Sequence, residues 1–156
     1  MLRMKQTTSR NASADGLFEL PCACQNLRRL SRITTRIYDQ ELRKAGLEIA
    51  QFGLLTALGK TREINQKRLS AGLSMDSTTL TRTLGPLHKK GWIQVKRGRD
   101  RRERLLSLTK AGEQQIKEAQ PCWERAEQRF RDELGAAGWK QMNETVLRMT
   151  AAASAA

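Results

Sequence analysis

The spacing of apolar residues changes from a helical period to alternation and back along the chain, and these changes limit the class of fold. In 20–42 and again in 116–134, apolar side chains recur every three or four residues, which is the period of an amphipathic helix. Apolar and polar residues alternate instead around 93–95 and 106–108, as they do in half-buried β-strands. The sequence therefore predicts a mainly α fold with a small β-hairpin.

Glycines and capping residues give the order of the elements. Gly46, Gly59 and Gly91 each follow an apolar helical pattern and are predicted to end it, while Asp76 and Thr109 are predicted N-caps. The resulting order is helix, helix, short helix, helix, hairpin, helix, helix, with a short strand or turn before the short helix.

Prolines and glycines are expected to disturb two of these helices. Pro86 and Pro121 lie inside predicted helices, and a bend is expected at each because proline has no N–H to donate. A break at 135–138 is predicted to separate the long helix from a last short one.

The net charge of +13 is concentrated in one segment. Residues 77–110 contain ten Lys and Arg against two acidic residues, whereas residues 111–156 have a net charge of −1. Such clustering indicates a surface that binds a polyanion, most often nucleic acid. The chain has no Gly-rich phosphate loop and only one histidine, so an enzyme is not expected.

A short helix, a turn and a Thr/Arg-rich helix, followed by a basic hairpin, predict a winged helix-turn-helix. Hydroxyls and arginines can bind phosphates and base edges of double-stranded DNA. The candidate DNA contacts of the second helix are Ser77, Thr78, Thr79, Thr81 and Arg82. Those of the hairpin, or wing, are Arg97, Arg99, Asp100, Arg101 and Arg102, with Asp100 expected to orient Arg102. A sequence-nonspecific architectural DNA- or RNA-binding protein would use the same basic face.

Three stretches carry a family resemblance: DSTTLTRTL, KKGWI and RDRRERLLSLTKAG. Together they resemble the recognition helix and wing of the multiple antibiotic resistance regulators, the MarR family, and the resemblance extends over about 20–150. It implies a winged helix-turn-helix with N- and C-terminal dimerisation helices. It also implies a homodimer on a pseudo-palindromic operator, with Arg102 in the minor groove, and release by a small aromatic effector or an oxidant. The expected function is that of a transcriptional repressor.

The segments expected from this resemblance follow the elements above. They are a disordered tail at 1–16, a dimerisation helix at 17–46, a DNA-binding lobe at 47–109, dimerisation helices at 110–150 and a second disordered tail at 151–156. Neither a secretion signal nor an apolar run long enough to span a membrane is visible, so the cytoplasm is the expected location and no membrane partner is expected.

Cys22 and Cys24 lie in the predicted first turn of the first helix, where the helix dipole favours a thiolate. The spacing of Cys24, Arg32 and Tyr38 resembles that of the organic hydroperoxide-sensing branch of the family, and Cys122 stands where some members hold a resolving cysteine. Ile49 replaces a second tyrosine of that branch. The candidate redox sensors are thus Cys24, Cys22, Cys122 and Tyr38.

Two other interpretations of the cysteines stay open. Cys24 lies on the apolar seam of its helix and could be a small packing residue. A metal site is disfavoured because helical residues two apart point to opposite sides, and the single His88 is distant in sequence. No metal or cofactor is therefore expected.

Overall fold

A computed structural model describes residues 22–98, 100 and 103–154 of the chain. The tail predicted at 1–16 lies outside these residues. The chain divides into two compact units, one up to Thr34 and one from Thr35 onward. Each unit is described separately below.

The elements occur in the predicted order. They are α1 (Ala23–Leu42), a 3₁₀ turn (Arg43–Ala45), α2 (Ile49–Gly59), β1 (Ile64–Asn65), α3 (Gln66–Gly72), α4 (Ser77–Lys89), β2 (Ile93–Arg97), β3 (Arg104–Leu108) and α5 (Lys110–Ser154). The prediction of a mainly α fold with a small hairpin is confirmed.

In the first unit, the described residues belong to the N-terminal part of α1. Three apolar side chains at helical spacing are exposed there: Leu27 is 46% exposed, Leu30 52% and Ile33 38%. This part of α1 therefore carries an apolar stripe on its surface.

The second unit contains a small antiparallel sheet with the strand order β1-β3-β2. The central strand pairs Leu106 with Ile64 on one side and with Val95 on the other, and Leu106 is buried. The sequence predicts the hairpin of β2 and β3 and a short strand or turn before α3, but not the pairing of that strand with β3. Because β1 has two residues, it is too short to show an alternating pattern.

A leucine-rich core holds the second unit together. Its fully buried members come from helices and strands on all sides, and they are Leu42, Leu47, Leu54, Leu55, Leu58, Leu80, Leu87 and Leu106. On α5, Ala119 and Ala126 are completely buried, and next to them the ring of Trp123 stacks on Phe52 of α2 at 6.2 Å. Small residues at these positions let α5 approach the core closely.

Thr109 and Gly112 join α5 to the rest of the lobe. The N–H of Thr109 donates to the carbonyl oxygen of Trp92 at 3.0 Å, and its hydroxyl donates to the carbonyl of Gly91 at 2.7 Å. The same hydroxyl oxygen accepts from the N–H of Gly112 at 3.1 Å, so Thr109 is the N-cap that the sequence predicts. A Cβ at Gly112 would overlap the carbonyl oxygen of Trp92 and approach Leu108 Cδ1 to 2.7 Å.

The structure contains the predicted interruption after residue 134, and the bends expected at the two prolines stay predictions. Both α4 and α5 continue past their prolines, Pro86 and Pro121. At Gly135, φ is 64° and ψ is 171°, so α5 consists of two helices joined at a kink, and the break predicted at 135–138 lies at this residue. The helix then continues to Ser154, and the prediction of a disordered tail from residue 151 is wrong for 151–154. Alanine has the highest helix propensity of all residues, which explains this extension.

Replacing Gly112 tests the junction. Gly112→Ala is expected to lower the free energy of unfolding by about 1–3 kcal/mol, because the new methyl group overlaps a backbone carbonyl that cannot turn away. Gly53→Ala in α2 is the matched control: its Cβ meets nothing within 4 Å, and it should stabilise by about 0.5–1 kcal/mol. Urea denaturation of the two variants measures both. Equal stabilities would contradict the steric role of Gly112.

Candidate nucleic-acid interface

Two side chains cap the helices of the helix-turn-helix. The Oδ1 of Asn65 accepts from the N–H groups of Lys67 at 2.7 Å and Arg68 at 3.4 Å, which caps α3. Asp76 caps α4 by accepting from the N–H of Thr79 at 2.8 Å and from its hydroxyl at 2.6 Å. These hydrogen bonds lower the pKa of Asp76, and the one from the hydroxyl has the largest effect. The ionised carboxylate also interacts favourably with the positive end of the helix dipole at the N-terminus of α4. Asp76 is the cap that the sequence predicts.

α4 presents a buried face and an exposed face. Leu80, Leu84 and Leu87 are buried in the core. Of the predicted contact residues, Thr79 is partly buried and the others are exposed: Ser77, Thr78, Thr81 and Arg82. Side chains that can donate to phosphates or base edges are therefore presented to the solvent by the first turns of α4.

Two of the predicted contact residues of α4, Thr79 and Thr81, already make side-chain hydrogen bonds within the protein. The hydroxyl of Thr79 donates to Asp76, as described above. The hydroxyl of Thr81 donates to the carbonyl of Ser77 at 2.7 Å and accepts from Gln66 Nε2 at 3.1 Å. Thr79 thus shapes the start of α4, and Thr81 connects α4 to the first residue of α3.

The wing is the hairpin of β2 and β3 with its connecting loop. The N–H of Gly98 donates to the carbonyl of Glu103, and the N–H of Glu103 donates to the carbonyl of Asp100, both at 2.9 Å. Arg97 and Arg104 are exposed and stand opposite each other in the β2–β3 ladder. Two like charges in directly opposed positions destabilise a strand pair, and an anionic partner would relieve that repulsion.

Three predicted wing residues, Arg99, Arg101 and Arg102, lie outside the described residues. The expected pairing of Asp100 with Arg102 therefore stays a prediction.

An open groove of about 940 Å³ lies between the wing, α3 and the start of α4. It brings together predicted residues from both elements, Ser77 and Thr81 from α4 and Asp100 from the wing. Residues outside the predicted set also line it: Asn65, Gln66, Lys67, Ser70, Leu80, Glu103 and Arg104. The polar run INQKR at the start of α3 was the available sequence signal for this side of the groove.

A second open pocket, of about 490 Å³, lies between α2, α3 and α5. Most of its lining is apolar and includes the stacked rings of Phe52 and Trp123. Lys60 and Arg68, both exposed, add two positive charges. A pocket with aromatic walls and cationic groups suits a small aromatic anion.

Tyr38, a candidate redox residue, is bound to α5. Its hydroxyl donates to Glu127 Oε2 at 2.5 Å, and its ring stacks on Phe130 with a centroid distance of 5.6 Å. Burial, the hydrogen bond to Glu127 and the charge of Glu127 raise the pKa of Tyr38 well above its usual value. Tyr38 therefore remains a neutral phenol that donates to a carboxylate.

The three cysteines are free and differ in exposure. Cys22 and Cys24 are exposed, and α1 begins at the residue between them, Ala23. Cys122 is buried in the core of the second unit, where its Sγ accepts from Arg125 Nη2 at 3.1 Å. Among the described residues, no three His, Cys, Asp or Glu side chains are grouped as a metal site requires.

The arrangement of α3, α4 and the wing defines a winged helix-turn-helix protein. Residues 47–103 match the model of the MarR family. The resemblance drawn from the recognition helix and wing is thereby confirmed.

Several known proteins are similar to this chain. YwoH of Bacillus subtilis, an uncharacterised HTH-type transcriptional regulator, is 32% identical over 88 residues, covering 56% of this chain and 64% of YwoH. The M. tuberculosis transcriptional regulator MOSR in complex with DNA is 28% identical, with a TM-score of 0.77 over 86% of this chain and 97% of that chain. A mutant MarR from E. coli, complexed with operator DNA, has a TM-score of 0.73 over 81% and 91% of the two chains at 22% identity.

These similarities bear on the fold and on the class of protein. The matched region spans less than two thirds of the length of YwoH. The family and the relatives are transcriptional regulators and not enzymes, in agreement with the sequence expectation. In the part of the chain that the structure describes, no helix is long and apolar enough to cross a membrane.

Proposed function

We propose that this chain is a cytoplasmic transcriptional repressor that binds a pseudo-palindromic DNA operator as a homodimer. The observation that carries this proposal is the groove that places the exposed start of α4 beside the basic wing. In a winged helix-turn-helix the recognition helix enters the major groove of DNA, and here that helix is α4.

Within α4, Arg82 is the candidate for reading a base. It is exposed and can donate two parallel hydrogen bonds to the O6 and N7 atoms of guanine. Ser77 and Thr78 are short donors that suit phosphates or base edges near the helix N-terminus. Lys67, at the start of α3, supplies a charge on the same groove.

The wing supplies the second part of the proposed contact. Arg97 and Arg104 provide charge at its base, and the arginines of its tip, Arg99, Arg101 and Arg102, are proposed to follow the minor groove. Asp100 is proposed to orient Arg102. The complexes of MOSR with DNA and of the E. coli MarR mutant with operator DNA support this use of the fold.

Exposed apolar surface supports a homodimer. The C-terminal part of α5 exposes Leu134, Val146, Leu147 and Met149, and the N-terminal part of α1 exposes the stripe described above. Exposed apolar side chains at helical spacing favour burial against another helix, and a second copy of the chain provides it. Two symmetry-related α4 helices would then contact half-sites about 34–36 Å apart.

Release from DNA is proposed to follow one of two signals. The pocket lined by Phe52 and Trp123 suits a small aromatic anion, with Lys60 and Arg68 as its counter-charges. The exposed thiols of Cys22 and Cys24 suit an oxidant, because an oxidant has to reach the sulfur. Because Cys24 is exposed, packing within its own unit does not explain why a cysteine is present at this position.

A second function, sequence-nonspecific binding of DNA or RNA, uses the same basic face. The two functions differ in whether binding depends on side chains that form hydrogen bonds with base edges. A specific repressor discriminates its operator from random duplex by a factor of roughly 10³ or more, whereas an architectural protein does not discriminate.

Selection of bound sites from random duplexes, followed by titration at several salt concentrations, tests DNA binding. We expect an enriched pseudo-palindrome and a steep loss of affinity with salt. Arg82→Ala should cost about 1–3 kcal/mol on the selected site and little on random duplex. Lys117→Ala removes the same charge from the exposed surface of α5 and serves as the control. Failure to enrich any sequence would favour the nonspecific function.

Light scattering tests the homodimer. The wild-type chain, of 17.7 kDa, should have twice that mass in solution. Leu147→Glu places a carboxylate on a side chain that is 70% exposed in the single chain, and it should shift the mass toward the monomer. Gln141→Glu adds the same charge at an exposed polar position of α5 and should remain dimeric. A monomeric wild type would refute the dimer.

The two signals are separated by titrating the DNA complex with cumene hydroperoxide and with benzoate. If an oxidant is the signal, hydroperoxide should release the DNA and a thiol reductant should restore binding. The Cys24→Ser variant should then not respond to hydroperoxide. Anion control predicts release by benzoate, which Lys60→Ala should weaken severalfold by removing a counter-charge of the pocket. If neither compound changes the affinity, both proposed signals are wrong.

A further inference from the structure

Glu103 connects the wing to the helix-turn-helix. Its Oε1 accepts from Asn65 Nδ2 at 2.6 Å, across 38 residues of sequence. Its side chain also covers Gly98 so closely that a Cβ at Gly98 would overlap it. Glu103 therefore lies where the two ends of the wing loop meet. Gly98, at the first end, donates its N–H to the carbonyl of Glu103, and Glu103 itself, at the second end, directly precedes β3.

Asn65 has a defined orientation at this contact. Its Oδ1 accepts from the backbone of Lys67 and Arg68, so the NH₂ group is the end that faces Glu103. The next residue, Gln66, donates to Thr81 on α4. Two adjacent residues at the start of α3 thus make one hydrogen bond to the wing and one to the recognition helix.

The charge of Glu103 alone would oppose DNA binding. Its carboxylate lines the groove that the DNA would contact, in a segment that is otherwise strongly basic. A carboxylate in that place repels phosphates. If Glu103 acts only as a charge, its removal strengthens binding; if it sets the position of the wing, its removal weakens binding.

We propose that Glu103 is a positioning residue that, through its hydrogen bond with Asn65, sets the wing relative to α4 and thereby the ability to discriminate an operator. This inference rests on the proposed DNA-binding function. It assigns Glu103 no contact with DNA, and the direct contacts remain with the hydroxyls and arginines of α4 and the wing.

Reversing the direction of the hydrogen bond between Asn65 and Glu103 distinguishes the effect of wing position from the effect of the Glu103 charge. Asn65→Asp keeps the cap on α3, because aspartate caps helices as well as asparagine does, but it sets two carboxylates against each other. Adding Glu103→Gln supplies an NH₂ donor to the carboxylate introduced at position 65 and restores a hydrogen bond in the opposite direction. The double variant has the same net charge as the wild type, so charge cannot account for a rescue.

Affinities for the selected operator and for random duplex are measured for wild type, for the single variants Asn65→Asp, Glu103→Gln and Glu103→Ala, and for the double variant. Asn65→Asp should weaken operator binding roughly tenfold, with a smaller effect on random duplex, and the double variant should recover most of that loss. The proposal is overturned if the double variant binds as weakly as Asn65→Asp. It is equally overturned if Glu103→Ala binds the operator more tightly than wild type.

Hydrogen exchange on the free proteins makes the test independent of DNA. The amide of Gly98 donates to Glu103, so its exchange reports the order of the wing loop. It should accelerate in Asn65→Asp and return to the wild-type rate in the double variant. A chain that shows this pattern but binds no DNA would refute the proposed function and leave the positioning of the wing intact. Unchanged exchange in Asn65→Asp would refute the positioning itself.

Discussion

The backbone N–H and carbonyl of Trp92 hold α4 and α5 together in the second unit. Its N–H donates to Leu87 near the end of α4, and its carbonyl accepts from Thr109 at the start of α5, both at 3.0 Å. Gly91 reaches this turn through a φ of +71°, a conformation that glycine adopts without strain. One residue therefore ties the end of the recognition helix to the start of the helix that carries the exposed apolar patch.

Helix ends and strand alternation could be predicted from the sequence because they depend on neighbours in the chain. The caps Asp76 and Thr109 act on residues three positions away, and the hairpin register follows from apolar alternation. The exposed face of α4 could be predicted for the same reason, since Leu80, Leu84 and Leu87 fix its buried side. The extension of the helix to Ser154 could not be predicted, because a short run of alanine and serine suggests a tail even though alanine favours a helix.

Contacts between distant segments could not be predicted from a single sequence. Tyr38 stands out in the sequence for its distance from Cys24, yet its hydroxyl partner is Glu127, 89 residues away. The pairing of β1 with β3 and the bond between Asn65 and Glu103 likewise join segments that no local pattern relates. Such contacts follow from how the helices and strands pack around the leucine core, and the spacing of apolar residues in the sequence does not specify that packing.

The opposed pair of Arg97 and Arg104 makes the unbound hairpin sensitive to ionic strength. Dissolved ions screen the repulsion between these exposed guanidinium groups and so favour the closed ladder. The same ions weaken attraction to a polyanion, because the release of counterions on association is less favourable when salt is abundant. Ionic strength thus has opposite effects on the free and the bound wing. At low ionic strength the repulsion between the two guanidinium groups is strongest, and under the proposed binding of DNA the attraction to a polyanion would be strongest there too.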